Sequence, residues 1–243
     1  MDVIVTSTCR HHIKRTLRSF FDNVTSSQDF NFVVNIDVLK PAYLPKLMRY
    51  LESLGISDIN VNLEPGNFHE GLARAIKYLY RRVTSPVFFH LEDDWLFLKR
   101  IDLDPLIQLM HDHPHIDHIR LSRSTIPERG WLYHLSERPS EEFMADHHNV
   151  EIDGIELVQT HTWSFNPSLA RANVAKCFTD IPAGTEAEKY TCHEYAKRFD
   201  HDGCYLYGRI GDSAAVKDIG RSRYSHVTKK IGNMARAMMS RSR

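Results

Sequence analysis

Four short apolar runs, at residues 3–5, 32–36, 59–63 and 87–91, alternate with three stretches of a different rhythm: 13–24 (IKRTLRSFFDNV), 43–54 (YLPKLMRYLESL) and 71–83 (GLARAIKYLYRRV). In each longer stretch the apolar residues return every three or four positions, which gathers them on one face of a helix. The short runs are rich in Val, Ile and Phe and apolar nearly throughout. Strands of that kind are buried on both faces, the mark of a parallel sheet covered by helices. The pattern predicts βαβαβαβ, an α/β, Rossmann-like chain with a mostly parallel central sheet.

In such sheets the ligand crevice opens outside the carboxyl ends of the strands. Three polar clusters fall there: residues 6–10 (TSTCR), with Thr6, Thr8 and Arg10; Asp37, ending the second run; and Glu92, Asp93 and Asp94, ending the fourth. Adjacent carboxylates beside a buried strand are costly, because like charges repel and burial disfavours the ionised form. A divalent cation is the natural compensation. The bland alternative is a solvated acidic turn that caps the element starting at Trp95.

Past residue 100 the rhythm is less regular. It reads as a helix over 105–112, strands over 116–121 and 155–165, helices over 168–178 and 186–199, and short strands at 204–207 and 214–216. No repeat or low-complexity linker intervenes, and 243 residues with 42% hydrophobic content can enclose one continuous core. The expectation is a single compact domain of two abutting halves, 1–100, read as nucleotide-binding, and 101–220, then a basic tail, 221–243. The 31 basic and 31 acidic residues cancel, so no overall field favours nucleic acid. Cys9, Cys177, Cys192 and Cys204 form no CxxC pair, and neither a signal peptide nor a membrane-spanning run is present, which reads as cytoplasmic.

The motifs resemble those of GT-A glycosyltransferases, family 2 above all, over residues 2–220. VIVTSTCRHHIKRTLRSF is similar to that family's opening strand, loop and helix, with Arg10 at the arginine of a T-Y-N-R-like loop. NFVVNIDV puts Asp37 where a base-recognising aspartate is common. GNFHEGLARAIKYLYRRVTSPVFFHLEDDW resembles the stretch from an N-x-G-like turn to the D-x-D metal motif, with Glu92 first and Asp94 last. The turn here reads GNFHEG and no Gly-Ser follows Asp37, which are departures from the pattern. The resemblance implies a nucleotide-diphosphate sugar donor and a bound Mn or Mg ion. It makes Asp94 a metal ligand, turns Glu92 toward the ribose or the metal's water shell, and leaves Asp93 to fix the loop.

The same resemblance implies inversion by direct displacement, in which a carboxylate deprotonates the acceptor hydroxyl. GTEAEKYTCHEYAKRF offers Glu186, Glu188 and Glu194; Glu188 ranks first as catalytic base and Glu186 second, although Thr185 and Glu188 also spell a T-x-x-E capping box. TWSFNPSLAR resembles a segment beside the donor sugar, where Trp163 would stack on a sugar face; a core tryptophan is the alternative. Asn166-Pro167-Ser168 reads as a turn and a helix N-cap. VKDIGRSRYSH resembles a segment carrying H-x-G, so Asp218 and His226 both stand as the third metal ligand. Lys217, Arg221 and Arg223 are candidates to clamp the leaving diphosphate.

HDHPHIDH, residues 111–118, has no zinc-ligand spacing. In the tail, Ile231, Met234, Ala235 and Met238 recur at helical spacing among basic residues. That reads either as a docked helix or as a peripheral membrane contact serving a lipid-linked acceptor. The expected activity is metal-dependent, inverting transfer of a sugar to a hydroxyl of a saccharide or lipid-linked acceptor. Its rivals are a noncatalytic sugar-nucleotide or glycan-binding module, a phosphoester hydrolase, and a nucleotidyltransferase, the last opposed by the lack of glycine in TSTCRHH.

Overall fold

The computed structural model describes residues 1–8, 10–64, 66, 68–121, 148–160, 163–182, 184–199, 203–210 and 212–220. The first half runs β1 (Asp2–Ser7), α1 (His12–Asn23), β2 (Val24–Thr25), β3 (Asn31–Asp37), α2 (Leu44–Ser53), β4 (Asp58–Asn62), α3 (Phe68–Arg82) and β5 (Val87–Glu92). It continues through β6 (Trp95–Phe97), β7 (Ile101–Asp102), α4 (Asp104–Asp112) and β8 (His118–Arg120). The rest comprises β9 (His148–Ile152), β10 (Ile155–Thr160), β11 (Ser168–Arg171), α5 (Ala172–Lys176), α6 (Ala187–Arg198), β12 (Cys204–Tyr207) and β13 (Val216–Asp218).

The four apolar runs are β1, β3, β4 and β5, paired in parallel as the periodicity predicts. Among the described residues the main sheet has nine strands in the order β4-β3-β1-β5-β11-β8-β12-β10-β9. Beyond β5 the hand of the pairing changes: β11 is antiparallel to both β5 and β8, while β12 lies parallel to β8. One sheet therefore crosses from the first half into the second. Alternation along β1 sends Val3 and Val5 toward Leu17 and Phe20 of α1 and Leu47 and Leu51 of α2. Ile4 goes to the opposite face, against Ile76, Leu79 and Tyr80 of α3. Burial of such side chains contributes roughly 1.5–3 kcal/mol each, which commits β1 to helices on both sides.

Two expectations are corrected. Residues 168–178, expected to be a helix capped by Ser168, begin instead as strand β11 and become helical only at Ala172. The open edge of β5 needs a partner, and β11 supplies its backbone bonds, which outweighs the local helical pattern. The strand expected over 155–165 ends at Thr160. It belongs to a hairpin with β9 turned by Asp153 and Gly154, both at positive φ (50° and 77°), as a two-residue turn between twisted strands requires.

Candidate active site

At the carboxyl edge of β1, β3 and β5 lies a cleft of about 570 Å³. Thr6, Ser7, Thr8 and Arg10 line it from the loop after β1, Asp37 and Leu39 from the end of β3, and Glu92, Asp93 and Asp94 from the end of β5. The three polar clusters read from the sequence meet here. Gly71 and Ala75, one turn apart on α3, also line the cleft, and their small side chains leave it room.

Within the acidic triplet Asp93 is buried, while Glu92 and Asp94 are half-buried. Asp93 is 5% exposed; its Oδ2 accepts hydrogen bonds from Ser7 Oγ and from the Thr8 backbone N–H, both at 2.8 Å. Thr16 Oγ1 on α1 donates to the Asp93 carbonyl at 2.8 Å. Asp93 thus ties the β1 loop to the β5 loop, the structural role expected of it. Burial pushes its pKa up, and the hydrogen bonds from Ser7 and Thr8 work against that shift. Glu92 sits beside Thr6 in the parallel register, and its Oε2 accepts from Trp95 Nε1 at 3.1 Å. Burial, then the charges of Asp94 and Glu188, hold Glu92 well above the usual carboxylate range.

Asp94 is pushed up to about 7 by burial and then by the charges of Asp93 and Asp218, with Arg10 pulling the other way. Strand β13 pairs antiparallel with β6, setting Asp218 opposite Trp95, and the Ile219 N–H donates to the Asp94 carbonyl at 2.7 Å. Gly220 follows, and a Cβ there would collide with the Asp94 carboxylate. Lys217, next to Asp218 on β13, is exposed and by strand alternation faces the other way. Arg221 and His226 lie outside the described residues.

Asp37 is 6% exposed and belongs to a ladder of amides across β3 and β4. Asn62 Nδ2 and Asn35 Nδ2 donate to its Oδ1 at 3.1 and 3.3 Å, and Asn60 Nδ2 donates to Asn35 Oδ1 at 2.6 Å. Burial raises the pKa of Asp37, opposed first by the Asn62 bond, so the carboxylate is held in a defined orientation at the cleft wall. The sequence reading does not single out these asparagines, which alternate with Ile and Val along β3 and β4.

Glu188, which is not among the residues lining this cleft, lies in the first turn of α6, half-buried, its Oε1 accepting the Phe165 backbone N–H at 3.2 Å. It forms no capping box: α6 begins at Ala187 with Glu186 in the cap position and no side-chain cap bond. Its charge adds to the upward shift of Glu92, after burial and Asp94. Glu186 is exposed at the helix start. Trp163, a predicted binding residue, is core in the structure: it is 1% exposed and stacked on His118 with ring centroids 4.5 Å apart. Its indole packs also against Phe178 and Tyr195, so no face is left for a sugar.

The chemistry of this donor set fits a divalent cation. Buried carboxylates that raise one another's pKa, with Arg10 and His12 as the nearby bases, are relieved by a hard positive ion. Among the described residues no group of three His, Cys, Asp or Glu is disposed to hold a metal ion. A catalytic metal site leaves positions for substrate oxygens, so two protein carboxylates suffice as an anchor.

No protein-family model and no curated protein sequence matches the chain. Solved structures do. S. aureus TarS superposes with a TM-score of 0.55 at 15% identity, over 88% of this chain and 35% of TarS; its fragment 1–349 in complex with UDP gives 0.53 at 16% identity, over 88% and 59%. The fold is GT-A. The mannosyltransferase PcManGT from Pyrobaculum calidifontis, in complex with GDP-Man and Mn2+, gives 0.53 at 13% identity, over 92% of this chain and 58% of that one. Mouse xyloside xylosyltransferase 1 in its apo form gives 0.53 at 7% identity, over 91% and 98%. This chain spans 35% of TarS and little more than half of the TarS fragment and of PcManGT. At these identities the likeness is one of GT-A architecture, a mostly parallel sheet between helices.

Proposed function

We propose that the chain is a metal-dependent, inverting glycosyltransferase, family 2-like, that moves a sugar from a nucleotide-diphosphate sugar to a hydroxyl of a saccharide or lipid-linked acceptor. The observation that carries the reading is the acidic triplet Glu92-Asp93-Asp94 at the carboxyl edge of a GT-A sheet, lining one cleft with Asp37 and the β1 loop. The neighbours solved with UDP and with GDP-Man and Mn2+ support a nucleotide-sugar donor and a divalent ion.

In this reading Asp37 would accept an N–H of the base, and Thr6, Thr8 and Arg10 would meet the ribose and phosphates. A bound Mn or Mg ion would neutralise the diphosphate and ease its departure. Asp94 would hold it, with Glu92 and Asp218 beside it and His226 a further candidate. Glu188, held by the Phe165 N–H, would take the proton of the acceptor hydroxyl as that oxygen attacks the anomeric carbon from the face opposite the leaving group. Glu186 is the second choice. Lys217 and Arg221 remain candidates for the diphosphate. Among the described residues no helix is long and apolar enough to cross a membrane, and a peripheral contact through the tail would serve a lipid-linked acceptor.

The test is calorimetric titration of UDP, GDP, CDP and dTDP, each with and without manganese, into the wild type and Asp94→Asn. Metal-dependent binding of one nucleotide, lost in the variant, is expected. Equal affinity in Asp94→Asn with manganese present would sink the metal assignment. Metal-dependent binding without transfer, indifferent to Glu188→Gln and Glu186→Gln, would favour a noncatalytic sugar-nucleotide or glycan-binding module.

A further inference from the structure

Arg120 ends β8 with its side chain 1% exposed, an unusual place for a guanidinium. Its Nη1 donates to Ser164 Oγ at 3.1 Å, and Ser164 is itself fully buried. That oxygen also accepts from the Asn166 backbone N–H at 3.5 Å. Between the two lies Phe165, 1% exposed, whose N–H is the hydrogen bond that holds Glu188. The loop's far end is tied to the same strand: the Leu121 N–H donates to the Pro167 carbonyl at 2.7 Å, and Ser168 pairs with Arg120 in the register of β11 and β8.

We propose that Arg120 is a positioning residue for the Glu188 carboxylate: by clamping Ser164 it fixes the Phe165 N–H, and that N–H fixes Glu188. The inference rests on the reading of Glu188 as the base. Burying a cation costs stability, and an apolar side chain of similar volume serves a core equally well or better. What the arginine adds is a directional bond to one loop and a positive charge that Glu188 feels. Both favour an ionised, immobile carboxylate, the state a general base needs before it accepts a proton. The sheet between β8 and β11 is the rigid element that sets the geometry.

Hydrolysis of a nucleotide sugar isolates the step, with water as acceptor: the anomeric carbon–oxygen bond to the diphosphate breaks, a bond to the water oxygen forms, and the water's proton passes to Glu188. UDP-glucose, UDP-N-acetylglucosamine and GDP-mannose, with manganese, are the probes. Arg120→Met and Ser164→Ala are expected to lower kcat at least about tenfold with KM and nucleoside-diphosphate affinity nearly unchanged, and Arg120→Lys to recover part of the loss. In a Glu188→Gln background Arg120→Met should cost almost nothing further, because it acts through the group already removed.

Additive losses, or wild-type kcat in Arg120→Met and Ser164→Ala while Glu188→Gln is inactive, would overturn the positioning role and leave the base standing. Wild-type turnover in Glu188→Gln would overturn the base, and this inference with it. Hydrogen exchange supplies a readout free of activity, and Ser164→Ala serves it should Arg120→Met fail to fold. The Phe165 amide should exchange faster in Ser164→Ala than in the wild type. Equal protection would show that the Arg120–Ser164 bond does not hold the loop.

Discussion

Asp94 and Gly220 show how a single atom can decide a site. Asp94 is crowded by Asp93 and Asp218, and the space its carboxylate occupies exists because residue 220 has no side chain. Adding one methyl group there forces a shift of the carboxylate or of the segment after β13, an overpacking that costs about 1–3 kcal/mol. Gly220→Ala is therefore expected to weaken manganese-dependent nucleotide binding at least about tenfold while the protein stays folded. Calorimetry beside a thermal melt checks this; unchanged affinity would mean that Asp94 has freedom to move. Gly220 stands at the glycine of the H-x-G-like segment, but the group it accommodates lies in the turn between β5 and β6, which no local pattern in VKDIGRS records. The place of Asp94 in the cleft was legible from context, an acidic triplet closing the fourth apolar run with two other polar clusters at the same sheet edge.

Strands β5 and β8 carry two histidines into the core, His90 and His118, 1% and 0% exposed. Burial lowers the pKa of His90 to about 3 and holds that of His118 well below its ordinary 6.5. A histidine depressed in the folded state contributes stability that is complete above 6.5 and is lost as pH falls below it, because the unfolded chain then takes up a proton the folded chain refuses. The raised carboxylates Glu92 and Asp94 act in the opposite sense, so the comparison needs a variant. His118→Phe keeps a ring against Trp163 and removes the titration. Relative to wild type it should gain about 2 kcal/mol on going from about pH 7 to about pH 5, read from urea unfolding. No relative gain would contradict the neutral buried state. At this scale the periodicity located α1 to α4 and β12 well. It misread 168–171, because pairing with β5 overrode a helical pattern, and it passed over Asp153-Gly154, a hairpin signal that was present in the sequence.

The main sheet runs unbroken from β4 to β9 through β5, which lies between β1 and β11. Removing either half would open the edge of a buried strand. The two halves are thus expected to unfold as one unit, with calorimetric and van't Hoff enthalpies in agreement; two resolved transitions would contradict it. The sequence by itself determined the parallel half, its helices and the three clusters at its carboxyl edge, because these follow from periodicities of two and 3.6 residues and from where polar residues interrupt them. Only the tertiary structure decided that Trp163 is core, that Glu188 accepts a bond from Phe165 in place of capping its helix, and that Arg120 and Gly220 stand behind the carboxylates. Each of those facts joins residues remote in the chain, and such contacts are set by how the layers pack, which no local pattern records.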